Sequence, residues 1–266
     1  MNDNLDQLLK SLRLHRMREL VTDEMKRATK SKPSYQAFLA RLLRAELQFQ
    51  NERTITNRIK AARLPERWSL ATFPFDDQPG ADAATIRQLA ELDFVPSHEN
   101  IVFIGPTGVG KTGLASALLL RAIENGHRGR FIRAQDLFDE LYASPADRST
   151  RTLLHQLDRV AVLLIDEMGY LTLRAEQSNM FFKLMEERYN RKATLITTNL
   201  DYPEWYEFLG NKKMVEALLD RLRHHCHTIR IDGPSLRSPS PEPTTTRRAS
   251  SRKPAKSAKA KSAKAA

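Results

Sequence analysis

Cysteine is nearly missing from this chain of 266 residues. Cys226 stands alone, which excludes an intrachain disulfide. A chain of this size without disulfides is expected in a reducing compartment, the cytoplasm being the simplest. No apolar stretch approaches the roughly 20 residues of a membrane span, so no membrane partner is expected. The opening Met1-Asn2-Asp3-Asn4 is polar and acidic, unlike the basic start of a secretion signal. Acid is scarce at both ends. Residues 1–64 carry 14 Lys/Arg against 7 Asp/Glu, residues 238–266 carry 8 against one, and the middle is net −3. Basic ends around a mildly acidic centre suit a protein that touches a polyanion with its appendages. Solubility charge on helices and on a tail is the plainer alternative.

Glycine is also scarce, at 10 residues, yet three stand in one run, Gly105-Pro106-Thr107-Gly108-Val109-Gly110-Lys111-Thr112. The run fits G-x-x-x-x-G-K-S/T. Its flanks give it weight: the apolar Ile101-Val102-Phe103-Ile104 enters it, and Leu114, Ala115, Leu118, Leu119 and Ala122 leave it at helical spacing. Strand, glycine loop, helix is the order that phosphate binding requires. The glycines let backbone N–H groups turn inward, and the helix N-terminus adds partial positive charge. Lys111 is expected to reach the β- and γ-phosphates of ATP, and the Thr112 hydroxyl to ligate Mg²⁺.

Along the chain, Leu5, Leu8, Leu9, Leu12, Met17, Leu20, Val21 and Met25 keep mostly helical spacing over residues 3–30. Lys32-Pro33-Ser34 breaks it, with Ser34 a candidate N-cap. A second helix follows, with Phe38, Leu39, Leu42, Leu43 and Phe49 on one face and Arg41, Arg44, Arg53, Arg58 and Lys60 on another. Four segments are expected: a helical module (1–64), a linker (65–95) whose Trp68, Phe73 and Phe75 can anchor it, an ATPase core (96–237) and a disordered basic tail (238–266). A short helical stretch is expected around Ile86–Leu92. Within the core, strands are predicted at 101–104, 130–133, 160–165, 194–198 and 228–231, and helices at 111–124, 135–143, 174–190 and 212–224. That alternation predicts an α/β fold with a mostly parallel five-stranded sheet between helices.

Chemistry concentrates at the predicted strand ends. Val160–Ile165 runs apolar into Asp166-Glu167. Asp166 is expected to hold Mg²⁺ through water, and Glu167 to polarise the attacking water. Thr194–Thr198 leads to Asn199, at the sheet edge where such folds place ligands. It can sense the γ-phosphate or simply form a turn. Arg221, in Leu219-Asp220-Arg221-Leu222-Arg223, can reach a neighbouring subunit's γ-phosphate, or serve as a surface charge partner. His224-His225-Cys226-His227 is contiguous, which does not let four ligands converge on zinc.

The blocks GPTGVGKT, FIRAQDLFDEL, LLIDEMGYL, FFKLMEERYNRKATLITTNL, PEWYEFLG and ALLDRLRHHCHTIRIDG follow one another over roughly residues 5–237. In this order they closely resemble the IstB family of insertion-sequence helper ATPases. The resemblance implies an AAA+ P-loop core, related to DnaC loaders and DnaA initiators. It also implies ATP-dependent assembly of a homo-oligomer on double-stranded DNA with little sequence preference, beside a transposase of the same element. Carried over by motif, Lys111 and Thr112 are the Walker A pair, Asp166 and Glu167 the Walker B pair, Asn199 sensor 1 and Arg221 the arginine finger. Arg237, in Gly233-Pro234-Ser235-Leu236-Arg237, stands where the sensor 2 arginine belongs. The chain departs from the family pattern at Gly113, where His is common, at Leu236, where Tyr is usual, and in its longer basic tail. A DnaC-like loader of a replicative helicase is the alternative within the fold. A nucleotide-gated scaffold that barely turns ATP over, and a small-molecule kinase, are expected less: the acid pair is intact and no acceptor-binding lid is evident.

Overall fold

Three helices open the chain: α1 (Asp3–Ser11), α2 (His15–Ser31) and α3 (Tyr35–Ala62). The computed structural model describes residues 3–143 and 150–237. The apolar pattern over 3–30 is two helices rather than one. Arg13 takes a left-handed φ of 57°, and the Leu14 N–H closes onto the Leu9 carbonyl at 2.9 Å. The signal was the five-residue step from Leu12 to Met17, too long for one helical face. Ser34 caps α3, its hydroxyl accepting from the Ala37 N–H at 3.2 Å. The three helices share a small core of Leu9, Val21 and Leu42. Glu46, buried beside it, accepts from the Met17 N–H at 2.8 Å.

After a 3₁₀ turn at Leu70–Thr72 comes α4 (Ala83–Leu89), capped by Asp82. The rest alternates: β1 (Asn100–Ile104), α5 (Lys111–Glu124), β2 (Gly129–Arg133), α6 (Ala134–Ala143), α7 (Thr150–Asp158), β3 (Val162–Met168), α8 (Ala175–Arg188), β4 (Ala193–Thr198), α9 (Trp205–Leu209), α10 (Lys212–His224) and β5 (Cys226–Arg230). Two of these helices are additions to the predicted set, α7 and the short α9. The apolar triplet Leu153, Leu154 and Leu157 of α7 was the available signal. Strand β3 begins at Val162, two residues later than predicted, because Val160 and Ala161 complete the turn out of α7.

All strands are parallel, in the order β2-β3-β4-β1-β5. Successive strand residues point to opposite faces. Ile101, Phe103, Val162, Leu164 and Leu195 therefore enter a core with α5, α4 and the linker's Phe73, while Val102, Ile104, Leu163, Ile165 and Ile196 enter a second with α6 to α10. Covering on both faces is why these strands read as unbroken apolar runs. Arg188, 1% exposed, ties the second layer together at the starts of the strands. It donates to the Leu157, Val160 and Ala193 carbonyls and to the Thr194 hydroxyl.

The chain divides into two units, Met1–Leu236 and Arg237–Ala266. The expected basic tail, 238–266, lies outside the described residues. Among the described residues no helix is long and apolar enough to cross a membrane.

Candidate nucleotide site

Strand β1 ends at Ile104 and the chain turns through Gly105–Gly110 into α5, whose first residues are Lys111 and Thr112. The turn demands glycine at Gly108 and Gly110, where φ is 89° and 93°. Space demands it too. A Cβ on Gly108 would stand 2.1 Å from the Ser235 hydroxyl, and one on Gly110 2.8 Å from the Phe73 ring. The loop is thus held from outside by two distant segments. The Leu236 N–H donates to the Gly108 carbonyl at 2.9 Å. Fully buried Gln78 donates to the carbonyls of Val109 at 3.2 Å and Pro234 at 2.9 Å. No local pattern in the sequence singles out Gln78.

Lys111 is only 9% exposed and curls over the loop, donating to the Gly105 and Pro106 carbonyls at 2.8 and 2.7 Å. The Thr112 hydroxyl donates to Asp166 Oδ1 at 2.8 Å, so the glycine loop and the end of β3 meet. Asp166 is 3% exposed and accepts a second bond, from the Thr197 hydroxyl of β4 at 2.6 Å. Thr197 in turn accepts from the Glu167 N–H at 3.0 Å. The ladder between β3 and β4 shifts between Ile165 and Met168. There Glu167 takes a left-handed φ of 60° and its side chain is exposed. Strain of this kind persists where surrounding bonds over-determine it. A further tie joins Thr107 Oγ1 and the Tyr170 hydroxyl at 2.6 Å.

Asn199 follows β4 directly, and the preceding Thr198 carbonyl accepts from the Gly105 N–H at 3.2 Å. The Asn199 Oδ1 is buried with no hydrogen-bond partner among the described residues. Lys111, Thr112, Asp166, Glu167 and Asn199 thus converge on one edge of the sheet, the ends of β1, β3 and β4. Their donor set suits a phosphate chain with a hard cation: an ammonium, a hydroxyl and a carboxylate beside a glycine-rich backbone.

Arg221 is elsewhere. It lies on α10, 3.5 Å from Glu186 and with its guanidinium 5.6 Å from the centre of the Tyr189 ring. With Asn100, the first residue of β1, it lines a small cavity. The glycine loop leaves the other end of β1, about 13 Å away at the rise of a strand. Arg237 is exposed and begins the second unit. Of the histidine run, His227 Nε2 lies 2.9 Å from Glu99, and the His225 carbonyl accepts from the Asn100 N–H.

Residues 7–241 match the family described as IstB-like ATP binding protein. The chain belongs to that family. The ATP-binding protein of insertion sequence IS21 from Pseudomonas aeruginosa is 36% identical over 233 residues, covering 88% of each chain. The corresponding protein of IS5376 from Geobacillus stearothermophilus is 38% identical over 204 residues, 77% of this chain and 81% of its own. The IstB-like fold is that of AAA+ proteins. A DnaC helicase loader superposes with a TM-score of 0.50 and 26% identity over 56% of this chain and 88% of the loader. A DnaA initiator bound to AMPPCP and single-stranded DNA superposes at 0.54 with 17% identity, over 65% of this chain and 52% of the initiator. This IstB-like chain fills its departures locally. A Cβ on Gly113 would meet the Trp68 ring at 3.2 Å, so the linker indole occupies the side where a larger residue would project. The Leu236 side chain packs against the first core and reaches 3.0 Å from where a Gly110 Cβ would be.

Proposed function

We propose that this protein is a magnesium-dependent ATPase that assembles on double-stranded DNA, with little regard to sequence, and assists the transposase of its insertion sequence. The observation that carries the catalytic part is the 2.8 Å bond between Thr112 and Asp166, which brings the glycine loop and the acid pair into one site. Lys111 and Gly105, Pro106, Thr107, Gly108, Val109 and Gly110 would hold the phosphates of ATP, and Thr112 and Asp166 the Mg²⁺. The cation, when bound, would neutralise charge on the phosphates and polarise them. Glu167 would take up or orient the proton of the attacking water, and Asn199 would fix that water or the phosphate with its unpartnered Oδ1. Arg221 cannot serve its own loop from the far end of β1, which supports a role toward the next subunit of a homo-oligomer. Arg237 would serve as the sensor 2 arginine of the family pattern. The helical module (1–64) and the basic tail (238–266) would meet the DNA backbone, the linker (65–95) joining that module to the ATPase core (96–237). The cytoplasm is the fitting location.

The names of the relatives, proteins of insertion sequences, support transposition over helicase loading; the likeness to a DnaC loader supports the loader reading as the alternative. Sedimentation of the purified protein with duplex DNA and ATP tests the proposal. Wild type should form large complexes that Lys111→Ala does not form, and Glu167→Gln should form them but not dissolve them. Equal assembly by Lys111→Ala, or a preference for single strands and a hexameric helicase, would overturn it.

A further inference from the structure

Strand β2 is an edge of the sheet, three strands from β1 and hence roughly 14 Å from the glycine loop's strand at ordinary strand spacing. The C-terminal half of α3 lies along it. Arg58 and Ala61, three residues apart, fall on one face of α3, and that face looks across a cavity of about 490 Å³. Arg128 and Arg130 enter the cavity from the start of β2, and Gln156 of α7 walls the other side.

Two arginines stitch the helical module to the core here, each holding the other side's backbone. Arg58 donates through Nη1 to the Gly126 carbonyl at 2.5 Å, and Arg130 through Nη1 to the Ala61 carbonyl at 3.3 Å. A guanidinium has five N–H donors, so one such bond fixes the group and leaves most of its fork for a ligand. The ion pairs among the described residues engage other arginines; Arg58, Arg128 and Arg130 have no carboxylate within 4.0 Å there. Glu140 lines the same cavity, so three guanidiniums face one carboxylate. Burial and the nearby Arg63 both hold the Arg130 pKa below its ordinary value, and Glu140 only partly opposes them. Positive charge is in excess in this cavity, three guanidiniums to one carboxylate. Fixed guanidinium forks with spare donors are the geometry that takes phosphate oxygens two at a time.

We infer that this cavity seats DNA backbone phosphates, so that the ATPase core and the helical module grip one strand together. The inference rests on the duplex-binding proposal and adds the site, including Arg128 and Arg130 of the core. Phosphate contact of this kind carries no base preference.

The test is fluorescence anisotropy of a labelled mixed-sequence duplex with full-length protein and ATP, across a salt series. Arg128 is exposed and its side chain makes no hydrogen bond among the described residues, and Gln156 is exposed, so Arg128→Ala and Gln156→Glu should both fold. Arg128→Ala should lower the slope of log affinity against log salt by about 1, the loss of one phosphate contact. Gln156→Glu leaves every arginine in place but supplies a carboxylate across the cavity. It should cut affinity at least as much, while Gln156→Ala binds as wild type. Melting temperature and ATP affinity should stay unchanged in all three. Wild-type slope and affinity in both Arg128→Ala and Gln156→Glu would overturn this site and leave the duplex-binding proposal standing. Failure of the wild type itself to bind duplex would overturn both.

Discussion

Thr197 stands between the two acids of the site: its hydroxyl donates to Asp166 Oδ1 at 2.6 Å while accepting from the Glu167 N–H at 3.0 Å. One hydroxyl on β4 therefore fixes both the carboxylate that faces Thr112 and the backbone that aims Glu167. Thr197→Val keeps the shape and removes both bonds. ATP should still bind, within a few-fold of wild type, because Lys111 and the glycine loop are untouched. Turnover should fall by about 10²-fold, the scale of a misplacement near 1 Å. Steady-state phosphate release beside nucleotide titration checks this split. An equal fall in binding and turnover would mean that Thr197 supports the fold alone.

Arg188 makes the clearest stability prediction. Its guanidinium satisfies three backbone carbonyls and the Thr194 hydroxyl where no water reaches. Burial pushes its pKa down to about 10, so it remains charged at neutral pH. Arg188→Met fills much of the volume but strands several buried acceptors, each costing about 1–3 kcal/mol. A loss of at least about 3 kcal/mol is expected in urea unfolding. Arg188→Lys should recover only part of it, since one ammonium cannot reach acceptors on both α7 and β4.

The parts legible in the sequence are those that local pattern decides. Strands buried on both faces show as apolar runs, and the glycine loop shows because its turn admits few residues at Gly108 and Gly110. The pairing of Thr112 with Asp166 was legible as chemistry, although 54 residues separate them, because the glycine loop that leads to Thr112 and the acid pair each follow the apolar run of a buried strand. Thr197 was not. The run Thr197-Thr198 offers two hydroxyls, and only the bulge after Ile165 determines which of them meets the acids. Gln78 was equally silent, since its work depends on the linker folding back over α5; Trp68 was legible as an anchor of the linker, but not its seat beside Gly113. The break between α1 and α2 was visible in spacing alone, but a left-handed Arg13 is not a residue type that announces a turn.

Cys226 gives a prediction in pH. Burial pushes its thiol up to about 12 from an ordinary 9.0, the largest cause, with the neighbouring Glu99 charge acting the same way. A raised folded pKa means that the neutral thiol is favoured by folding. This contribution to stability is full below pH 9 and is lost as pH climbs through 12. At pH 8 the folded protein should react with iodoacetamide about 10²–10³-fold more slowly than the urea-unfolded chain, following the thiolate fraction. Mass spectrometry of the alkylated chain measures both rates. Equal rates would place the thiol in solvent.

Arg221 and the glycine loop occupy opposite ends of β1, and this separation makes a prediction that no arrangement within one subunit reproduces. Arg221→Ala should bind ATP as wild type does, because Glu186 and Tyr189, its neighbours in the fold, are remote from Lys111. On duplex DNA its hydrolysis should fall by about 10³-fold, the usual weight of an arginine brought to a phosphate by a neighbour. Glu167→Gln, which assembles but lacks the acid that activates water, should be equally inactive. Mixed together, the two should recover activity. A Glu167→Gln subunit then offers its intact Arg221 to the intact site of an Arg221→Ala subunit. A random mixture that stays as inactive as either parent, while still assembling on DNA, would leave Arg221 as a surface partner of Glu186 and nothing more.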